Sequence, residues 1–230
     1  MSEALALLSY GDTGWLDEIA RGVLITVALA LCTAPLALAL GFASSLAKQS
    51  QHLELRVASR LYTTVFRALP ELVTLFLIFF GLPLLLQGLG FGVGVPTFFA
   101  GWLALGLTLG AYVAEVFNSA FRAIPKGQYE GANALGLRSS RTMLLVIAPQ
   151  LLRVALPGLS NLWVILLKDT ALVSTIGLNE TLRQIGVASR VTKEPFLFFA
   201  LACAIYLVLV LGSTGVLNRL DNRLARSDAR

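Results

Sequence analysis

The apolar run that follows Arg21 continues to about Ala47. A helix crossing the roughly 30 Å hydrocarbon core of a bilayer needs about 20 consecutive apolar residues, and this run is long enough to be a retained span. Four more runs of this kind follow. The five read as spans at Gly22–Ala47, Leu61–Leu86, about Thr97–Phe121, about Leu151–Leu167 and about Pro195–Leu217. Because backbone polar groups find no water in the bilayer, each run is expected to be helical, with Pro35, Pro70 and Pro83 tolerated where neighbouring groups satisfy the freed carbonyls.

Composition agrees. Of 230 residues, 57% are hydrophobic and 13% charged, against about 25% charged in an average soluble domain. The chain reads as an all-α, polytopic membrane protein forming one domain over 1–230, with a spanning core at 22–217 and a polar loop at 122–149. The net charge of +5 does not call for nucleic acid, because the basic residues sit between apolar runs. Cys32 and Cys203 lie inside such runs, so no disulfide framework is expected. With them, His52 is the single histidine, too few ligands for a typical His/Cys metal site. The first 20 residues carry Glu3, Asp12, Asp17 and Glu18 and no Lys or Arg, unlike the positive leading region of a signal peptide.

Orientation follows from the basic residues. One side holds Lys48, Arg56, Arg60, Arg122, Lys126, Arg138, Arg141, Arg153, Arg219, Arg223, Arg226 and Arg230, twelve of the eighteen. The other holds five: Arg21, Lys168, Arg183, Arg190 and Lys193. The N-terminus is therefore expected outside, with the C-terminus and the 122–149 loop in the cytoplasm. Thr170–Leu178 is apolar but too short to cross. It reads as a re-entrant or interfacial segment, since a sixth crossing would invert the basic tail. Gly88–Gly94 reads as a flexible outer turn.

Within the loop, Pro125 ends the preceding helix. Glu130–Leu135 then reads as a short helix with Glu130 in its first turn, where a carboxylate favours the positive dipole end. Gly131, Ala132 and Ala134 leave its surface low enough for another backbone to approach. Gly136 fits the left-handed position that ends a helix, and Ser139 or Ser140 is placed to cap the next one before Pro149.

Charges inside spans cost about 2.5–3.5 kcal/mol each on insertion scales and mark candidate sites. Arg67 and Glu71 stand four apart, fitting a local ion pair or a gate loosened by Pro70. Glu115 fits either a carboxylate satisfied by Tyr112, Asn118 or a basic residue of a neighbouring span, or a contact for a cationic substrate or inner gate. Lys168 and Asp169 close the fourth span as an interfacial pair or part of the path, which Asn161 could also line. Gly106 and Gly110 permit close helix approach. No G-x-x-x-x-G-K-[ST], H-E-x-x-H or G-x-S-x-G occurs, so the chain is not expected to be an enzyme, and uphill transport would need energy from elsewhere.

Glu130-Gly131-Ala132, Gly136, and Val146-x-Ala148-Pro149 together resemble the Glu-Ala-Ala loop signature of ABC importer permeases. Gly131, Val146 and Ala148 depart from its usual Ala, Ile and Leu. Arg67-Ala68-Leu69-Pro70, the LPGLSN stretch from Leu156, and Lys168-Asp169-Thr170-Ala171-Leu172 resemble further segments of polar amino-acid permeases. The closest branches are the histidine/lysine/arginine/ornithine and opine types. The resemblance implies the ABC type I importer permease fold, five transmembrane helices with a cytoplasmic coupling loop at Glu130, Ala132, Gly136 and Pro149. It also implies a second related permease, a dimer of ATP-binding cassette ATPases that binds the ATP and Mg, and a periplasmic substrate-binding protein. No cofactor is expected on this chain itself. A self-contained, ion-coupled secondary transporter is the alternative; it would be expected to show an internal repeat, and none is evident.

Overall fold

The computed structural model describes residues 7–11, 14–92 and 94–226, with the backbone alone at 218 and 220–226. Glu3, Asp12 and Arg230, used above for the leader and the tail, and Val93 of the glycine-rich turn lie outside the described residues. The helices run α1 Leu16–Gln49, α2 Leu53–Ala68, α3 Glu71–Phe76, α4 Leu82–Gly88, α5 Thr97–Ala123, α6 Lys126–Ala134, α7 Ser139–Thr142, α8 Ala148–Asp169, α9 Thr181–Thr192 and α10 Pro195–Arg226. Among the described residues, five stretches are long and apolar enough to cross a membrane: Leu16–Gln49, Glu71–Gly88, Thr97–Ala123, Ser139–Ile176 and Pro195–Leu217.

The second run departs from expectation. It is two helices, because Leu69 and Pro70 are extended (ψ 138 in both) and Pro70 serves as the N-cap of α3. The residue before a proline is pushed out of the helical region, so the chain breaks there. Two other prolines act more gently. Pro83 and Pro149 are each preceded by a widened π turn, Leu77–Gly81 and Met143–Ile147, that runs into the next α-helix. Such a turn accommodates the donor and the space that the proline ring denies the carbonyl four residues back. Pro35 stays inside α1, where Trp102 Nε1 donates to the Cys32 carbonyl at 3.0 Å in the loosened turn.

Helix α5 is the centre. Of an apolar 18-residue stretch of α5, 61% is buried, against 11% in Glu71–Gly88 and in the Pro195–Leu217 part of α10. It packs most closely on α1, and the reason is glycine. A Cβ on Gly106 would overlap Leu36, and one on Gly110 would sit 2.7 Å from the Tyr62 hydroxyl and 3.1 Å from Leu40 Cβ. The G-x-x-x-G pair thus serves contacts within this chain. Around it Leu29, Ala30, Ala37, Ala104, Leu105, Leu109 and Val113 form the core with Leu151, Leu166 and Leu167 of α8.

After α8 the chain tightens into a 3-10 helix at Thr170–Ile176, turns at Gly177 (φ 96) and enters α9. The short apolar segment is therefore followed by a second helix, α9, that carries too many polar residues to read as a span. Glu180 starts it. Its carboxylate accepts from the backbone N–H groups of Leu182 (2.9 Å) and Arg183 (2.8 Å), from Thr26 on α1 (3.3 Å) and from Tyr206 on α10 (3.1 Å). One fully buried side chain thus caps α9 and ties it to two spans. Burial pushes the Glu180 carboxyl above the ordinary carboxylate range, and these hydrogen bonds offset part of that rise.

Candidate functional site

The loop between α5 and α8 is built from its prolines and one glycine. Pro125 is the N-cap of α6 (φ -61, ψ 140), so the helix begins at Lys126 and Glu130 sits mid-helix, four residues later than a first-turn reading places it. At the other end Gly136 adopts φ 72. The Leu137 N–H reaches the Ala132 carbonyl at 3.1 Å and the Gly136 N–H reaches that of Asn133 at 2.9 Å. This paired closure satisfies the last carbonyls and needs a left-handed residue, which favours glycine. Neither serine caps α7. Its N-cap is Arg138, with no side-chain cap hydrogen bond, and Ser139 is the first helical residue.

The loop helix has two faces. Ala132 is 4% exposed and Tyr129 packs on the core, where desolvation raises its phenol above the usual value. Gln150, directly after Pro149, donates to Gln128 at 3.0 Å and to the Val146 carbonyl at 2.8 Å. These contacts fix α6 against the base of α8. Glu130 and Gly131 face outward, and a Cβ at Gly127 or Gly131 would meet nothing within 4 Å. The result is a rigid, low, polar knob joined to two spans.

A second cluster lies where α1, α2 and α5 meet. Glu115 accepts from Lys48 and is 3.3 Å from Arg67 Nη1. Asn118 donates to its other oxygen at 3.5 Å. The Arg67 guanidinium stands 5.6 Å from the Tyr112 ring centre, close enough for a cation–π contact. The pairing of Arg67 with Glu71 does not form. The break at Leu69-Pro70 puts the two on different helices, and Arg67 turns to Glu115 instead. Lys48 is the member that sequence reasoning missed: it reads as a topology charge, although its place in the last turn of α1 was a signal that it could reach an inward-facing carboxylate.

Glu71 opens α3 and lies within Coulombic range of Asp169 at the end of α8. Among the described residues, neither Asp169 nor Lys168 forms an ion pair within 4 Å, so the interfacial pair is not made. Lys168 and Asn161 are exposed. The candidate path residues thus fall into two groups, one at Glu115 and one around Asp169, and the structure does not bring them together.

Residues 36–226 match the family model described as binding-protein-dependent transport system inner membrane component. The chain belongs to that family. It is 40% identical over 212 residues to the nopaline transport system permease protein NocQ of Agrobacterium fabrum, covering 89% of this chain and 90% of that one. It is 39% identical over 220 residues to the histidine/lysine/arginine/ornithine transport system permease protein HisQ of Salmonella typhimurium, covering 93% and 95%. Among solved structures it resembles an amino acid ABC transporter crystallised with histidines, with TM-score 0.80, 31% identity, and 91% and 95% coverage. The MetNI methionine ABC transporter in an inward-facing form, at TM-score 0.67 and 17% identity, shares the fold. A binding-protein-dependent inner-membrane component is an ABC importer permease subunit, which sets aside the self-contained ion-coupled carrier.

Proposed function

We propose that this permease moves polar, basic amino acids or opines inward, driven by ATP that partner ATPases bind with Mg and hydrolyse. The observation that carries the coupling reading is the α6 knob. It is locked to its own spans through Ala132, Tyr129 and Gln150, and it turns outward Glu130 among the small Gly127, Gly131 and Ala134, with Lys126, Asn133 and Leu135 beside them. A push on that face is transmitted to α5 and α8 rather than absorbed by the loop.

In this reading the N-terminus is periplasmic, and the C-terminus and the α6 knob are cytoplasmic. The permease works as one domain beside a second, related permease in a pseudo-symmetric pair. A periplasmic binding protein delivers the ligand. Glu130, Ala132, Gly136 and Pro149 form the coupling element. Arg67 and Glu115, with Lys48, form a gate or cation contact near the inner end, and Glu71, Asn161, Lys168 and Asp169 border the outer part of the path. The substrate class rests on the relatives' transport of nopaline and of histidine, lysine, arginine and ornithine.

The test is uptake into proteoliposomes holding the complete complex, with ATP inside and binding protein outside. Glu130→Arg is expected to abolish uptake of labelled arginine while the permease still inserts and assembles. Unchanged uptake would sink the coupling role of α6.

A further inference from the structure

Helix α2 is turned inside out relative to a helix on a soluble core. Its buried face is polar: Ser59 is 5% and Thr63 2% exposed. Ser59 donates to the Ser44 carbonyl at 2.8 Å, Thr63 to the Ser59 carbonyl at 3.1 Å, and the Tyr62 hydroxyl to the Leu107 carbonyl at 2.7 Å. Four of its apolar residues point the other way, while Phe66 stays half-buried against Tyr62. Leu53, Val57, Leu61 and Val65 recur every fourth position, so they form one stripe, and they are 64%, 52%, 64% and 39% exposed.

Arg56 and Arg60, one turn apart, lie between that stripe and the buried face. Neither has an ion-pair partner among the described residues, whereas Arg67 in the same row is held by Glu115. Glu54 is the helix's one carboxylate, in its first turn. Helix α2 is not among the candidate spans, yet three residues separate it from α1 and two from α3. It is therefore held at a membrane boundary. Low overall hydrophobicity, one apolar face and bordering arginines are the marks of a helix lying in the plane of the interface. The arginine stems can run along the apolar layer while their heads reach phosphates.

We propose that α2 is an in-plane helix that binds anionic phospholipid of the inner leaflet. Leu53, Val57, Leu61 and Val65 enter the acyl layer, and Arg56 and Arg60 hold the headgroup phosphate. The choice of leaflet rests on the orientation proposed above; the lipid site itself does not. Because Ser59, Tyr62 and Arg67 tie the same helix to α1 and α5, the lipid bears directly on the Glu115 cluster.

The experiment uses the assembled complex in vesicles, with Val57→Cys carrying an environment-sensitive fluorophore in a Cys32→Ala/Cys203→Ala background. Acyl-brominated phosphatidylglycerol or acyl-brominated phosphatidylcholine, present in both leaflets, serves as the quencher. Stronger quenching by the phosphatidylglycerol is expected. The preference is expected to fall on the order of thirty-fold in Arg56→Gln/Arg60→Gln, as two surface charges are lost, and to return in Arg56→Lys/Arg60→Lys. Equal quenching by both lipids in the parent protein overturns the anionic site. No quenching by either means that the partner permease covers the stripe, and overturns it too. Leaflet is read separately with an impermeant thiol reagent on Ser50→Cys in intact cells. Labelling from outside overturns the inner-leaflet assignment while leaving the lipid result standing.

Discussion

Lys48, in the last turn of α1, donates to the carboxylate of Glu115 in α5, and the side chains are 10% and 31% exposed. Arg67 reaches the same oxygen from α2, so one carboxylate holds three helices by charge. Two cations on one anion make the partners unequal. Losing Lys48 leaves Glu115 still paired, whereas losing Glu115 leaves two cations facing each other.

Lys48→Met is therefore expected to lower the stability of the purified complex by about 1.5–3 kcal/mol, the range for a hydrogen bond to a charged group. Glu115→Gln is expected to cost more, because removing one side of a largely buried pair strands the other. The double variant should cost less than the sum by about 1 kcal/mol or more, since contacting residues couple. Thermal unfolding of the four proteins in one detergent closes the cycle, and strict additivity would show that the pair is not an energetic unit.

Gly136 tests the loop by itself. Its φ of 72 favours glycine, and an L side chain there costs about 1–2 kcal/mol. A Cβ would meet nothing within 4 Å, so the cost is conformational rather than steric. Gly136→Ala is expected to insert and assemble normally but to couple poorly, with ATPase activity less stimulated by liganded binding protein. Gly136→Asn, a residue that tolerates this region, should recover most of it. Full stimulation in Gly136→Ala would mean that the closure of α6 is dispensable.

Close helix approach gives a sharper contrast. A Cβ at Gly41 would overlap Val113 and sit 2.9 Å from the Ala114 nitrogen, while one at Gly186 would meet nothing within 4 Å. Overpacking typically costs about 1–3 kcal/mol, and an exposed helical Gly→Ala gains up to about 1 kcal/mol. Gly41→Ala should lower the melting temperature and Gly186→Ala should hold or raise it. Equal effects would show that α1 and α5 are not packed at the glycine.

The spans were legible because each depends on a run of like residues. Thr97–Ala123 and Pro195–Leu217 come out within two residues of their expected ends, and Gly136 was legible because one backbone position admits few side chains. What sequence hid was set by geometry between distant segments. The pairing of Arg67 with Glu71 assumed that the helix continues through Pro70, and the break there sends Arg67 to a partner 48 residues away. Glu180 had no local sign of burial, because two of the three helices it contacts, α1 and α10, reach it only in the fold. The second half of α2, from Leu61, reads as the start of a span because its apolar residues merge with those of α3; the break at Leu69-Pro70 and the buried Ser59 and Thr63 separate the two.

Glu180 gives the pH prediction. Its folded carboxyl lies above the ordinary glutamate value, which is about 4.3 in model peptides. The folded protein therefore keeps a proton that the unfolded chain releases. Stability falls with rising pH wherever the folded state binds more protons. This contribution is fully present below the unfolded value and is lost as pH climbs through the folded one. Glu180→Gln keeps the Thr26 and Tyr206 contacts within reach but cannot titrate, and it is expected to flatten that part of the curve. Glu180→Ala strands the Leu182 and Arg183 N–H groups and the Tyr206 hydroxyl, and should cost about 1–3 kcal/mol at every pH. Melting temperatures of the three proteins across the acidic range decide it: parallel curves for Glu180 and Glu180→Gln would mean that the buried carboxyl does not titrate there.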